Sequence, residues 1–469
     1  MVFHRVSKFF RKGDNEVLYE PIETPYEVLH DDNDVRRPIL VLPDEPRPEC
    51  QQFSWLDYTV FMLLGIAMLW AWNMFLAAAP YFQNRFAEDK AILSRFQAAI
   101  TSISCITSLF CMLILTNMQS KANYLGRIIL ALFLSLVVFS LLSISTSHFK
   151  QTSPTSYLVF TLIMVFFTAY ASSLCQNGSF AYASSFGRPE YIQAIMTGQA
   201  IAGVLPAVAQ IVSVLSAEDP DKSASDLVRA KTLSDESATA AFTYFMTAAG
   251  VSIFTFLAVF LLVLKQNRIL RRSLKCAFTN FGDTNMTKRK PVSMLALYKK
   301  LPWLSAAVFI CLAVTMFFPV FTERITSVRT NEDSRLFRPD AFIPLGFLAW
   351  NIGDLVGRLL TLGPFSIRRI SPIILFVLAC LRVIFIPLYL LCNVGGRDAI
   401  IKSDAFYLFV VSGGFGLTNG WLCSVCLMST GYYVEEGERE AAGGFMIVNL
   451  LAGLMAGSLL SFTVSGVGT

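Results

Sequence analysis

Phe347-Leu-Ala-Trp-Asn-Ile-Gly-Asp-Leu-Val-Gly-Arg-Leu-Leu-Thr361 is the stretch that decides how this chain is read. It lies inside an apolar run from about Ala341 to Gly363, which is long enough to cross a bilayer as a helix. Yet it carries Asp354 and Arg358. At 100° per residue, Asn351, Asp354, Arg358 and Thr361 fall within about 80° of one another. Gly346, Gly353 and Gly357 form a second stripe beside them, the pattern of a close helix contact in a membrane. A charge at bilayer depth costs at least ~2.5 kcal/mol, so this face turns toward protein or a watery cavity. One reading is a polar solute site. The other is a structural bridge between positions i and i+4 that only fixes helix packing. Intramembrane charges more often mark pathways, so the first is preferred.

The chain around this stretch has 469 residues, 54% hydrophobic and 15% charged. A soluble domain holds roughly 25% charged residues, so the composition excludes a string of soluble domains and implies a polytopic, all-α membrane protein. Apolar runs place helices at about 57–82, 92–117, 124–146, 156–186, 190–216, 240–264, 301–322, 341–363, 371–392, 404–431 and 440–463, eleven in all. Residues 1–56 are polar, with eleven acids, seven Lys or Arg and six prolines, and read as a disordered cytosolic tail. Tyr19-Glu-Pro-Ile22 and Tyr26-Glu-Val-Leu29 in that tail fit tyrosine-based signals for sorting adaptors.

The connections set the orientation. With the N-terminus in the cytosol, the inner links and tail carry 23 Lys or Arg and the outer links 13. Segment 265–300 weighs most, with ten basic residues against the single acid Asp283. An odd number of spans then puts the short 464–469 end on the non-cytosolic side. The basic segment also divides the spans into a six-helix bundle, 57–264, and a five-helix bundle, 301–463, as in transporters built like the major facilitator superfamily.

Chemistry of other kinds is hard to find. Cys423 and Cys426 form a CxxC without a second pair, inside a span, so zinc or redox chemistry is not expected. His4, His30 and His148 all lie outside the spans. No triad, P-loop or metal cluster occurs, so no enzyme activity, cofactor, metal or nucleic-acid partner is expected.

Polar residues within the spans are more informative. Leu69-Trp-Ala-Trp-Asn-Met-Phe75 places Trp70 and Trp72 too deep for an interfacial belt, where an aromatic face can stack on a flat ligand or fill a helix contact. The fourth span carries Ser173, Gln176 and Asn177 on one side, and paired amides offer both donors and acceptors. The alternative there is hydrogen bonding between helices. Apart from Arg95 and Arg127 in the first turns of their spans, which count with the links, Arg358 and Arg382 are the only basic residues within the spans. That is too little positive charge for a nucleotide or a sugar phosphate. A neutral, hydroxyl-rich, partly aromatic solute fits better.

Taken in order, these motifs resemble those of the equilibrative nucleoside transporter family. Gly65, Trp72-Asn-Met-Phe75 and Tyr81-Phe82 are similar to its first-span motif, with Ala71 where the family usually has Pro. Asn177-Gly-Ser179 and Met196-Thr-Gly-Gln199 keep its order across spans 4 and 5. Asn351-Ile-Gly-Asp-Leu-Val-Gly-Arg358 is similar to its span-8 signature, with Gly353 where an aromatic is frequent. Asn419-Gly-Trp421 and Gly443 through Phe462 look like spans 10 and 11. The resemblance implies an eleven-span, major-facilitator-like fold with a 6+5 arrangement. It implies alternating-access transport of purine and pyrimidine nucleosides, in some members nucleobases. Carried over by motif, the substrate-binding residues are Leu69, Trp72, Asn177, Phe347, Asn351, Asp354, Arg358 and Leu454. Gln176 joins them from the helical wheel. A lone deep carboxylate already paired with a guanidinium is a poor carrier of protons, so facilitated diffusion is expected. A vacuolar or lysosomal membrane, or the plasma membrane, is the expected location. The competing readings are a facilitator for another neutral solute such as a hexose, and a receptor or scaffold without flux.

Overall fold

The computed structural model describes residues 53–118, 122–149, 152–216, 226–279, 292–329, 335–363, 370–396 and 399–465. The tyrosine signals lie outside them. Among the described residues eleven helices are long and apolar enough to cross a membrane: α1 Trp55–Arg85, α2 Lys90–Asn117, α3 Tyr124–His148, α4 Pro154–Ser185, α5 Pro189–Val212, α6 Glu236–Arg268, α7 Pro302–Thr322, α8 Pro339–Leu360, α9 Pro372–Leu390, α10 Phe406–Tyr432 and α11 Glu436–Ser461. Among the described residues there is no strand, only an isolated bridge between Ile325 and Val394. Large apolar side chains such as Phe110, Phe133, Phe254 and Phe260 face outward, as lipid-facing surfaces do.

Starts and breaks follow from local chemistry. Asp89, Asn123 and Ser153 cap α2, α3 and α4 by accepting hydrogen bonds from first-turn N–H groups. Proline lacks the N–H that would bond the carbonyl four residues back, and its ring crowds that carbonyl. Pro319 accordingly breaks α7 just after Thr315. Pro387 lies four residues after Val383, within a 3-10 turn Arg382–Ile384 that interrupts α9. In α5, Pro206 stays within the helix and leaves the Ala202 carbonyl without its ordinary partner. Asn73 of α1 donates to that carbonyl at 2.8 Å, so a polar side chain in one helix satisfies the backbone of another.

One boundary differs from the sequence expectation. The helix containing α6 runs from Asp226 to Thr279, 54 residues, so parts of the links at 217–239 and 265–300 are helical. Hydropathy marks where a segment leaves the membrane, whereas the helix goes on for as long as no Gly or Pro stops it. Lys265, the first residue beyond the expected end at 264, pairs with Asp57 in the first turn of α1 at 2.7 Å.

Within the first six helices α1 packs on α5 and α6, and α4 on α2 and α3; within the last five α7 packs on α9, α10 and α11, and α8 on α10. The two sets meet where α5 touches α8 and α10, and where α11 touches α2 and α4. Buried apolar packing across this seam is confined to one end. One cluster joins Phe61, Leu64 and Ile195 to Leu304, Leu422 and Met446. Toward the opposite ends of the helices the two sets keep separate cores, around Phe75, Phe82 and Phe245 in one and Phe318, Phe342 and Phe415 in the other.

Candidate functional site

Glycines bring α8 and α10 into backbone contact. A Cβ on Gly353 or Gly357 would overlap the carbonyls of Gly413 or Leu417, and one on Gly416 or Gly420 those of Trp350 or Asp354. Reciprocal small residues at four-residue spacing permit this approach. It sets Asn419, next to Gly420, beside Asp354, and the Asn419 Nδ2 donates to Asp354 Oδ1 at 2.7 Å.

Asp354 and Arg358 are both buried, at 3% and 9% exposure. Arg358 Nε lies 2.8 Å from Asp354 Oδ2, an ion pair rather than an aligned hydrogen bond. The rest of the guanidinium reaches across the seam. Arg358 Nη1 donates to the Met196 carbonyl of α5 and faces Gln199 Oε1 at 3.5 Å. In return, Gln193 Nε2 of α5 donates to the Arg358 carbonyl at 3.3 Å. The pair therefore stands where the two sets of helices meet.

The other expected residues divide. Asn351, three residues before Asp354, bonds its own helix through Phe347 O at 2.9 Å, and its Oδ1 fills the space above Gly203 of α5. Phe347 packs edge-on to Phe318 at 5.1 Å between ring centres, and Trp350 stacks on the same ring at 4.8 Å. Leu69 and Trp72 of α1 and Leu454 of α11 are half-buried. Trp70 turns toward α6, donating to Thr247 Oγ1 at 3.3 Å. Gln176 is half-buried and its side chain has no hydrogen bond to another described residue. Asn177 is 1% exposed; it accepts from Arg127 Nη1 of α3 and donates to Thr116 Oγ1 of α2 at 3.3 Å. Its hydrogen bonds hold three helices together and do not reach the Asp354–Arg358 pair.

Gln193, Asn419, Thr315 and Arg382 take part in the polar network around the pair without having been expected there. Asn419 and Arg382 stood out in the sequence, one in a motif and the other as an intramembrane cation. What linked them to Asp354 was helix register, which no single stretch encodes.

A bundle of eleven membrane-crossing helices in two sets, with a buried ion pair at their seam, has the fold of major facilitator transporters. The crystal structure of FucP, a transporter of that superfamily in the outward conformation, superposes with a TM-score of 0.56 over 88% of this chain and 92% of its own, at 15% identity. The profile described as nucleoside transporter matches residues 162–279 and 274–465, and the chain belongs to that family. Nucleoside transporter FUN26 of Saccharomyces cerevisiae is 28% identical over 456 residues, covering 90% of this chain and 86% of its own length. Equilibrative nucleoside transporter 1 of Homo sapiens is 25% identical over 468 residues, covering 86% and 96%.

Proposed function

We propose that this protein carries nucleosides across a membrane by alternating access, as facilitated diffusion. The observation that carries this reading is the Asp354–Arg358 pair. It is anchored from α10 and reaches α5 across the seam, where a solute passing between the two sets of helices would meet it. Asp354 supplies acceptors and Arg358 donors for ribose hydroxyls. Phe347, Trp72, Leu69 and Leu454 offer apolar surface for the base, and Asn351 and Gln176 offer polar edges. Asn177 is the weakest member, since its amide is already engaged. The helices of 57–264 and of 301–463 act as the two moving units, with 265–300 between them on the cytosolic side. The N-terminus is cytosolic. The tail, through Tyr19 and Tyr26, directs the protein to a vacuolar or lysosomal membrane or to the plasma membrane by way of adaptors.

Purified protein in liposomes should show saturable uptake of labelled uridine and adenosine. The absence of both would end the reading, and competition of uridine by excess glucose would favour a hexose carrier instead. An imposed pH gradient should drive no uptake by itself.

A further inference from the structure

Arg382 is 3% exposed inside α9. Among the described residues no carboxylate lies within ion-pair distance of it. The 3-10 turn points its guanidinium toward α7 and α10, over the Phe415 ring at 4.5 Å. Arg382 Nη1 donates to Cys311 O at 2.5 Å, Nη2 to Thr315 Oγ1 at 3.1 Å, and Nε to Thr418 Oγ1 at 3.3 Å. Thr315 Oγ1 lies 2.8 Å from both Cys311 O and Asn419 Oδ1. A hydroxyl has one hydrogen and can donate to only one of them. Left to itself, a helical threonine tends to bond the carbonyl four residues back, here that of Cys311. Arg382 already occupies that carbonyl, and it also donates to the hydroxyl.

We propose that Arg382 is a positioning residue of the transport site: it commits the Thr315 hydrogen to Asn419 Oδ1 and thereby fixes which end of the Asn419 amide faces Asp354. With Oδ1 taken by Thr315, Nδ2 is turned to Asp354 Oδ1 at 2.7 Å. The flipped amide would set oxygen against carboxylate with no hydrogen between them. The carboxylate would then rotate, and its other oxygen would no longer face Arg358. Arg382 touches neither Asp354 nor the seam and works through two neutral side chains. The functional consequence rests on the nucleoside reading of the pair.

Uridine uptake kinetics in liposomes test it, normalised to folded protein, for Thr315→Val, Thr315→Ser and Arg382→Lys. Valine keeps the shape and removes the hydroxyl. It should raise KM about tenfold, the scale of one hydrogen bond to a charged group, with little change in maximal rate. Serine restores the hydroxyl and should bring KM back toward wild type. Lysine cannot fork between Cys311 O and Thr315, so Arg382→Lys should raise KM as valine does. On an Asp354→Asn background Thr315→Val should add nothing. A wild-type KM for Thr315→Val or for Arg382→Lys, with only the yield reduced, would make the network structural and overturn the proposal. Thermal melting of the same single and double variants gives a reading independent of substrate. Non-additive Tm shifts for Thr315 and Asp354 are expected, and additive shifts overturn the coupling. Failure of the wild type to take up uridine strikes the nucleoside reading instead.

Discussion

Both oxygens of Asp354 are engaged from within the protein, one by Asn419 and the other by Arg358. This makes the two charges unequal under mutation. Arg358→Ala strands a buried carboxylate, which costs roughly 3–5 kcal/mol, so a sharp fall in Tm and in folded yield is expected by size-exclusion and thermal melting. Asp354→Asn keeps an acceptor for Asn419 and loses the charge. It should weaken uridine uptake while sparing nucleobases, which have no ribose. The variant with both charges removed, Asp354→Asn with Arg358→Gln, should regain most of the lost stability and remain inactive. If it folds and transports uridine with wild-type affinity, the pair is structural. At this scale the sequence was informative about identity and silent about partners. Asp354 and Arg358 announce themselves because charge is rare in an apolar run. The amide of Asn177 looks the same on a wheel whether it faces a ligand or Arg127, and only the neighbouring helices distinguish the two.

Between elements, stability turns on the α8–α10 contact. Gly420→Val would drive a branched side chain into the Asp354 carbonyl and the Arg358 stem. Overpacking costs about 1–3 kcal/mol, and here it also displaces the ion pair, so both Tm and uridine uptake should fall. Gly250 is the control, since nothing lies within 4 Å of where its Cβ would stand. Gly250→Ala should be neutral or stabilising by up to ~1 kcal/mol, the helix-propensity difference. The eleven spans were legible because hydrocarbon thickness sets a length that composition reveals. Helix ends beyond the membrane were not, as the 54-residue helix around α6 shows. That helix continues through Lys265, which pairs with Asp57, because no Gly or Pro stops it there, and hydropathy does not read backbone propensity. The pairing of α8 with α10 was half visible. The Gly353/Gly357 stripe signalled a close contact, but the partner stripe Gly416/Gly420 gains meaning only once the two helices are side by side.

For the molecule as a whole, the seam governs which end is shut. Gly443 of α11 lies against Ser184 and the Phe180 carbonyl of α4, and Gly444 against Asn177 and Thr116. Gly443→Val should wedge this end apart. A penalty of 1–3 kcal/mol on one conformation shifts a two-state equilibrium about 5- to 150-fold. Slower uridine uptake, with faster labelling of cysteines introduced along the closed end of the seam, is expected; unchanged labelling would argue that the seam is not a gate. The proposed topology has its own check. Cysteines introduced in 217–239 should react with an impermeant maleimide from the non-cytosolic side, and those in 265–300 only after permeabilisation. Native Cys392, just past α9, should contribute little background, because it is 5% exposed and burial pushes its thiol up to about 11.

Apolar packing that holds one end shut also ties this conformation to temperature. Opening that end wets side chains such as Leu64, Leu304 and Met446, which are now dry. Each 100 Å² of apolar surface so exposed adds about 45 cal/mol/K to the heat capacity of opening. The balance between the two conformations is then a curved function of temperature, with closure weakening on cooling as well as on strong heating. Arrhenius plots of uridine flux should bend even where the bilayer has no phase transition, and trimming a buried leucine at the closed end should flatten the bend.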